Sequence, residues 1–406
     1  MGALKRTLGL GACIFFGVGS ILGAGIYTII GKIAGYGGNM TWLAFSIAWI
    51  TALMTAFSYA ELSSAFPRAG GEYEYAKKAF GKKWGVGLGS IISLNGIVSG
   101  ATVAVGFAGY LSQLLDFNVL MGSLGIIALI FLVNISGIRE SSAVNIGFTI
   151  IEIGGLLLVI YAAFPKMGEV DLMQAPPGGM GAIFTASALA FFAFIGFEEI
   201  VKLAEETHEP EKNIPRALFW AGGIVAVVYL LVAISAVSAL PYDKLAQASG
   251  PLAAVAESRF GRGGIIAISI IALFATSNTI LSNMLGSSRV LLNMSKETKA
   301  MQMFAKVSAK RKTPVAALVL ILVVMAGFAL IGDIEFIARI ANIFIFITFI
   351  IVNACVIVLR RKHPQIKRPF SIPGAVGKTP VIPVLGILFT LVLFGFNLYS
   401  LFANQA

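Results

Sequence analysis

Few residues of this chain have both the type and the surroundings to do chemistry. Glu152 stands in Phe148-Thr149-Ile150-Ile151-Glu152-Ile153-Gly154-Gly155-Leu156, an acid among apolar and small neighbours. A carboxyl group in the middle of an apolar segment costs roughly 3 kcal/mol to place in a bilayer and is a functional-site hypothesis by default. It can carry a proton, or give oxygen ligands to a hard cation. The blander reading is a structural hydrogen bond to the first segment. The second feature is Gly17-Val18-Gly19-Ser20-Ile21-Leu22-Gly23-Ala24-Gly25-Ile26, with four glycines in nine residues. Each costs a helix about 1 kcal/mol relative to alanine. Unwound backbone at bilayer depth is tolerated where it lines a cavity or meets a ligand. The competing reading is that small residues let helices pack closely.

The elements that must position these groups are legible from composition. Hydrophobic residues make up 58% of the chain, charged residues 12%, and the mean hydropathy is +0.90. Soluble domains are about 25% charged, so this reads as an all-α polytopic membrane protein. A span needs about 20 apolar residues. Eleven stretches qualify: 8–31, 40–66, 84–114, 119–137, 142–164, 180–204, 214–240, 263–290, 314–331, 336–359 and 380–402. The first is too long for a cleavable signal peptide and shows no cleavage-type site.

The net charge of +11 is distributed unevenly. With the N-terminus inside, every Lys and Arg lies on a cytoplasmic loop except Lys32, Lys166, Lys244, Arg259, Arg262 and Arg339. That bias sets a cytoplasmic N-terminus by the positive-inside rule, and an odd segment count then puts the C-terminus outside. Anionic lipid headgroups account for the excess charge, so the lipid bilayer is the expected partner and nucleic acid is not. Cys13 and Cys355 both lie in apolar segments, and His208 and His363 have no neighbouring ligand set. Neither a disulfide framework nor a metal site is expected. No nucleophile triad, phosphate-cradling loop or zinc spacing appears, so no enzyme and no cofactor are expected. The run Glu199, Glu205, Glu206, Glu209 and Glu211 reads as a solvated face.

Several strings together carry a family resemblance. Tyr59-Ala60-Glu61-Leu62 is followed by Phe66-Pro67-Arg68-Ala69-Gly70-Gly71-Glu72-Tyr73-Glu74-Tyr75. Further along stand Gly23-Ala24-Gly25-Ile26, Phe194-Ile195-Gly196-Phe197-Glu198, Asn213-Ile214-Pro215-Arg216-Ala217, the polar run from Ser277 to Val290, and Leu359-Arg360-Arg361-Lys362-His363-Pro364 with Arg368-Pro369-Phe370. These resemble the amino acid–polyamine–organocation (APC) superfamily over nearly the whole chain. The resemblance implies a leucine-transporter-like fold, a 5+5 inverted repeat with helices 1 and 6 broken. The first repeat would be 1–165 and the second 166–360, with 361–406 a basic cytoplasmic loop and an additional helix 11. Such carriers usually have twelve segments, and here nothing follows the eleventh; the consequence expected is for oligomer contacts, and oligomeric state is left open. The glycine interruptions of segments 1 and 6 agree independently, because broken helices in corresponding positions of two halves mark a transporter binding site.

An amino acid needs an anion field and a cation field, which half-helix N-termini and unwound carbonyls supply. The carboxylate is accordingly assigned to the backbone of Gly23, Ala24 and Gly25, and the ammonium to carbonyls at Ile21, Phe192 and Ile195. The family places an aromatic gate over the substrate where Phe192 stands. Side-chain contacts would come from Ser93, Asn95, Ser99, Thr102, Asn278 and Asn342; none is acidic, which favours a small or neutral L-amino acid. By family alignment Glu152 replaces a lysine of some proton-dependent members. It would face the carbonyls of Gly19 and Leu22 and the hydroxyls of Thr276 and Ser277, near the second sodium site of sodium-coupled relatives. The coupling ion is then a proton or sodium, the proton being preferred because a protonated acid is readily left buried. Glu61 and Glu198 would hold inner-gate hydrogen bonds, with Arg68 or Arg289 as partners, the alternative being a solvated helix end. The function expected is secondary active transport of amino acids across the plasma membrane by alternating access. An exchanger with a structural Glu152 and a non-transporting amino acid sensor remain alternatives. A channel would need a continuous polar pore lining.

Overall fold

A computed structural model describes residues 6–67, 71–136, 142–297, 299–308, 313–377 and 379–403. Among the described residues nine helical stretches are long and apolar enough to cross a membrane, with two shorter apolar helices, Leu10–Leu22 and Val315–Ala329, and they fall in the eleven segments that hydropathy places; the protein is an all-α, multi-pass membrane protein. Segment 1 is two half-helices, Leu10–Leu22 (1a) and Ala24–Gly37 (1b), and segments 2 to 5 are Thr41–Ala65, Lys82–Leu114, Val119–Ser136 and Ser142–Ala163. Segment 6 opens as the α-helix Gly181–Ala190 (6a); segments 7 to 11 are Pro210–Ala239, Arg262–Glu297, Val315–Ala329, Ile334–Lys362 and Val381–Ala403.

The helix ends follow local chemistry. Segment 2 stops just before Pro67, which has no N–H to continue it. Segment 10 starts at Asp333, whose Oδ1 accepts the N–H groups of Glu335 and Phe336 at 2.9 and 3.2 Å and so satisfies two of the first-turn donors.

The broken segments sit in the middle. Half-helix 1a packs on segments 5 and 7, segment 2 packs on 7, segment 3 lies along 8 and 10, and segment 11 covers 10, 2 and 6a. Large side chains left exposed on the outer faces, such as Leu129, Leu132, Val227 and Val392, are apolar, as a hydrocarbon surround requires. Buried polar pairs fix particular contacts. Asn353 of segment 10 accepts from the Ser58 hydroxyl at 2.6 Å and donates to Thr55 Oγ1 at 2.9 Å, tying it to segment 2.

Several connecting pieces are shorter than a hydropathy window can see, among them the helix Gly71–Phe80 between segments 2 and 3. Tyr242–Gln247 and Pro251–Phe260 join segments 7 and 8, and Ala375–Val376 pairs antiparallel with Thr379–Pro380 between segments 10 and 11.

Candidate functional site

Of the four glycines that open segment 1, one makes the break. Half-helix 1a is regular through Leu22, Gly23 turns away with φ −17° and ψ −159°, and 1b begins at Ala24. The other three are contact glycines. A Cβ at Gly17 would run into Ile200 and Ala221, one at Gly19 into the Thr149 hydroxyl, and one at Gly25 would lie 2.8 Å from the Ala193 Cα. The packing reading therefore holds for Gly17, Gly19 and Gly25, while the unwound reading narrows to Gly23.

Segment 6 breaks over a longer stretch. After Ala190 the chain tightens into a 3₁₀ turn over Phe191–Phe194, extends at Ile195, turns at Gly196 with φ +121°, and continues as 3₁₀ helix over Phe197–Leu203. The second half of segment 6 is thus a 3₁₀ helix and not the α half-helix that symmetry with 1b would give. Gly196 is required twice: its φ is open to glycine alone, and a Cβ there would overlap the Ser20 carbonyl. The two breaks interlock reciprocally, Ser20 against Gly196 and Gly25 against Ala193.

Tyr229 of segment 7 binds both breaks. Its buried hydroxyl lies 2.7 Å from the Ile21 carbonyl oxygen and 3.0 Å from that of Ala193, donating between them. Sequence reading missed it, because one tyrosine in a long apolar helix carries no local signal. Tyr229→Phe takes that donor away and is expected to cost about 1–3 kcal/mol of stability, read as a lower thermal midpoint in detergent with unchanged helicity.

The positions assigned to the substrate are found as follows. The Gly23 N–H caps 1a on the Gly19 carbonyl at 3.3 Å, and the Ala24 N–H donates to Thr279 Oγ1 at 3.1 Å. Segment 8 therefore meets the break through Thr279, the neighbour of the expected Asn278, which is half-buried. The Ile21 carbonyl takes Tyr229, and the Phe192 carbonyl accepts the Ile195 N–H at 3.3 Å. The Phe192 side chain is buried beside the break. On segment 3, Ser93 and Thr102 donate back to their own helix, and Ser99 reaches Asn95 Oδ1 at 3.5 Å. Asn342 donates to the Ala188 carbonyl at 2.7 Å, just ahead of the segment 6 break.

Glu152 is 1% exposed, and neither carboxyl oxygen has a hydrogen-bond partner among the described residues. Its backbone carbonyl accepts the Tyr27 hydroxyl of 1b at 2.8 Å. Thr149, one turn earlier, docks on Gly19 of 1a, so segment 5 touches segment 1 on both sides of its break. The Thr276 and Ser277 hydroxyls donate to carbonyls of their own helix, at Ala272 and Leu273, which leaves their oxygen lone pairs as acceptors.

The two acids assigned to the inner gate have these partners among the described residues. Arg68 lies outside the described residues, and Arg289 is exposed. Glu61, buried near the C-terminal end of segment 2, pairs with Arg360 and Arg368. Arg360 Nε donates at 2.8 Å, the Ile372 N–H at 2.9 Å, and Arg368 Nε stands 3.3 Å away. Both arginines lie in or beside the loop after segment 10, about 300 residues along the chain, so no spacing rule links them to Glu61. Glu198 accepts the Gly196 N–H at 2.9 Å and so secures the turn of the segment 6 break. Beside it, Tyr59 donates to Glu72 at 3.0 Å. Burial pushes the Glu72 carboxyl above the usual carboxylate range, against the pull of Lys202.

The family profile for amino acid permeases matches residues 8–405. The chain is 30% identical to the branched-chain amino acid permease BcaP of Bacillus subtilis, over 96% of its length and 88% of the relative's. It is 29% identical to the methylthioribose transporter of the same organism, over 94% and 86%. With cationic amino acid transporter 7 of Arabidopsis thaliana the identity is 28%, over 87% and 65%.

Proposed function

The chain belongs to the amino acid permease family of the APC superfamily, and from that premise we propose that it is a secondary carrier of small or neutral amino acids, coupled to protons through Glu152. Transport is its broad activity, as for the family and the relatives above. What supports the finer reading is the meeting of two broken segments, held by one hydroxyl on the Ile21 and Ala193 carbonyls. Paired breaks bring half-helix ends and unwound carbonyls to one place, the pair of fields a zwitterion needs. The carboxylate goes to the start of 1b around Gly23, Ala24 and Gly25, and the ammonium to the carbonyls of the breaks, with Phe192 as gate.

A neutral substrate is favoured because none of the polar side chains around the breaks on segments 3, 8 and 10 is acidic, and the branched-chain relative carries such substrates. Proton coupling is favoured by the unpartnered Glu152 oxygens: a neutral acid tolerates that burial, whereas a bare carboxylate does not. In this reading 1–165 and 166–360 are inverted repeats that rock about the breaks, the N-terminus is cytoplasmic, and the membrane is the plasma membrane.

The test is counterflow in proteoliposomes. Labelled leucine should enter against unlabelled leucine inside, and an inward proton gradient should drive net accumulation. Ligand-induced thermal stabilisation without counterflow identifies a sensor. Accumulation that follows sodium and ignores pH identifies a sodium symporter, and exchange without accumulation identifies an exchanger.

A further inference from the structure

The outer part of segment 10 buries an arginine whose hydrogen-bonding capacity is only partly used. Arg339 is 1% exposed. Its Nε donates to Glu335 Oε1 at 2.9 Å, the same oxygen accepts the Tyr36 hydroxyl at 2.7 Å, and the guanidinium lies 5.2 Å from the centre of the Tyr36 ring. Nη1 and Nη2 are buried and have no hydrogen-bond partner among the described residues. Asn342 follows three residues later, on the same face of the helix. Its Nδ2 is held by the Ala188 carbonyl, while its Oδ1 is buried and unpartnered. Asn397 of segment 11 donates to the Arg339 carbonyl at 2.9 Å, and its Oδ1 is unpartnered too.

A buried charged donor left unmatched is among the costlier defects a fold can carry. The free edge of Arg339 is a planar pair of donors that fits a carboxylate bidentately, and Asn342 Oδ1, on the same face of the helix, is an acceptor suited to an ammonium. Resting on the carrier reading above, we infer that Arg339 Nη1 and Nη2 form an outer station for the carboxylate of an amino acid passing between the external face and the breaks, with Asn342 Oδ1 receiving the ammonium. Charge selects this ligand class. Glu335 already neutralises Arg339, so a zwitterion leaves the site neutral, whereas chloride or acetate would bury an uncompensated negative charge. The alternative is a latch between segment 10 and the end of 1b. A latch uses Nε, Glu335 and Tyr36, and gives the free fork nothing to do.

The experiment uses the full chain in right-side-out and inverted vesicles with leucine as probe. Arg339→Gln, and Arg339→Gln with Glu335→Gln, which leaves no unpaired acid, should raise the half-saturation concentration for external leucine about tenfold or more. Half-saturation from the inner face should stay within about twofold, Tyr36→Phe should resemble wild type on both faces, and chloride should not compete. An equal rise on both faces, no rise in the double variant, a Tyr36→Phe variant that reproduces the effect, or competition by chloride overturns the station. A wild-type chain that takes up no leucine overturns the carrier reading and the station with it.

Discussion

Glu152→Gln is expected to abolish accumulation driven by a proton gradient while leaving exchange of labelled for unlabelled amino acid close to wild type. Glutamine has the shape of the protonated acid and cannot release a proton. Exchange cycles only the loaded carrier between its two faces and needs no release. Because the carboxyl oxygens have no hydrogen-bond partner among the described residues, the substitution breaks no bond there. The new amide brings two donors into the same place, at a cost of about 1–3 kcal/mol if they stay unmatched, so the variant should unfold at a somewhat lower temperature yet remain folded. One coupled proton and a pH difference of about one unit supply about 1.4 kcal/mol, enough for about tenfold accumulation. Wild type should approach that ratio, and the variant should stop at equal concentrations. A variant that still concentrates substrate removes Glu152 from the coupling.

Gly196→Ala is expected to lower uptake by about a hundredfold or more. At φ +121° an alanine is strained by about 1–3 kcal/mol, and its methyl group would overlap the Ser20 carbonyl oxygen and lie 2.9 Å from the carbonyl carbon. Both atoms are backbone and cannot turn aside, so segment 6 must move off segment 1, and the paired breaks part. Tyr229 could then no longer serve Ile21 and Ala193 together. Gly154→Ala, two residues after Glu152, is the control. Its Cβ would meet nothing within 4 Å, and alanine favours the helix by about 1 kcal/mol, so uptake should be unchanged. Initial rates of uptake, normalised to folded protein by thermal unfolding, measure both. Wild-type uptake by Gly196→Ala would mean that the contact of the two breaks is not what transport depends on.

Much of the architecture was legible before any coordinates. Segment boundaries were read to within a few residues for most spans, because a run of about 20 apolar residues reports bilayer crossing whatever surrounds it. Segment 1 proved longer than its apolar core, running to Gly37, because Lys32 and Gly35 lower the hydropathy without breaking the helix. Glu152 and the glycine clusters were legible for a related reason: an acid or a glycine run inside an apolar helix has a cost that local sequence cannot offset, so it marks a need elsewhere.

What the need was, only tertiary structure decided. Four similar glycines divide into one break and three contacts according to what lies opposite each, Ile200, Thr149 or Ala193. The donor for the Ile21 carbonyl comes from Tyr229, 208 residues away, the acceptor for Ala24 from Thr279, 255 away, and the partner of Glu61 from Arg360, 299 away. Side chains of these types are common in the chain and have no periodicity that would single one out. The sequence by itself therefore determined a multi-pass α-helical membrane protein with two interrupted helices and an acid at depth, since hydropathy and helix propensity are local quantities. Which hydroxyl closes the breaks, which arginines hold Glu61, and which guanidinium stays half-paired were decided by packing, which brings distant residues within hydrogen-bonding distance.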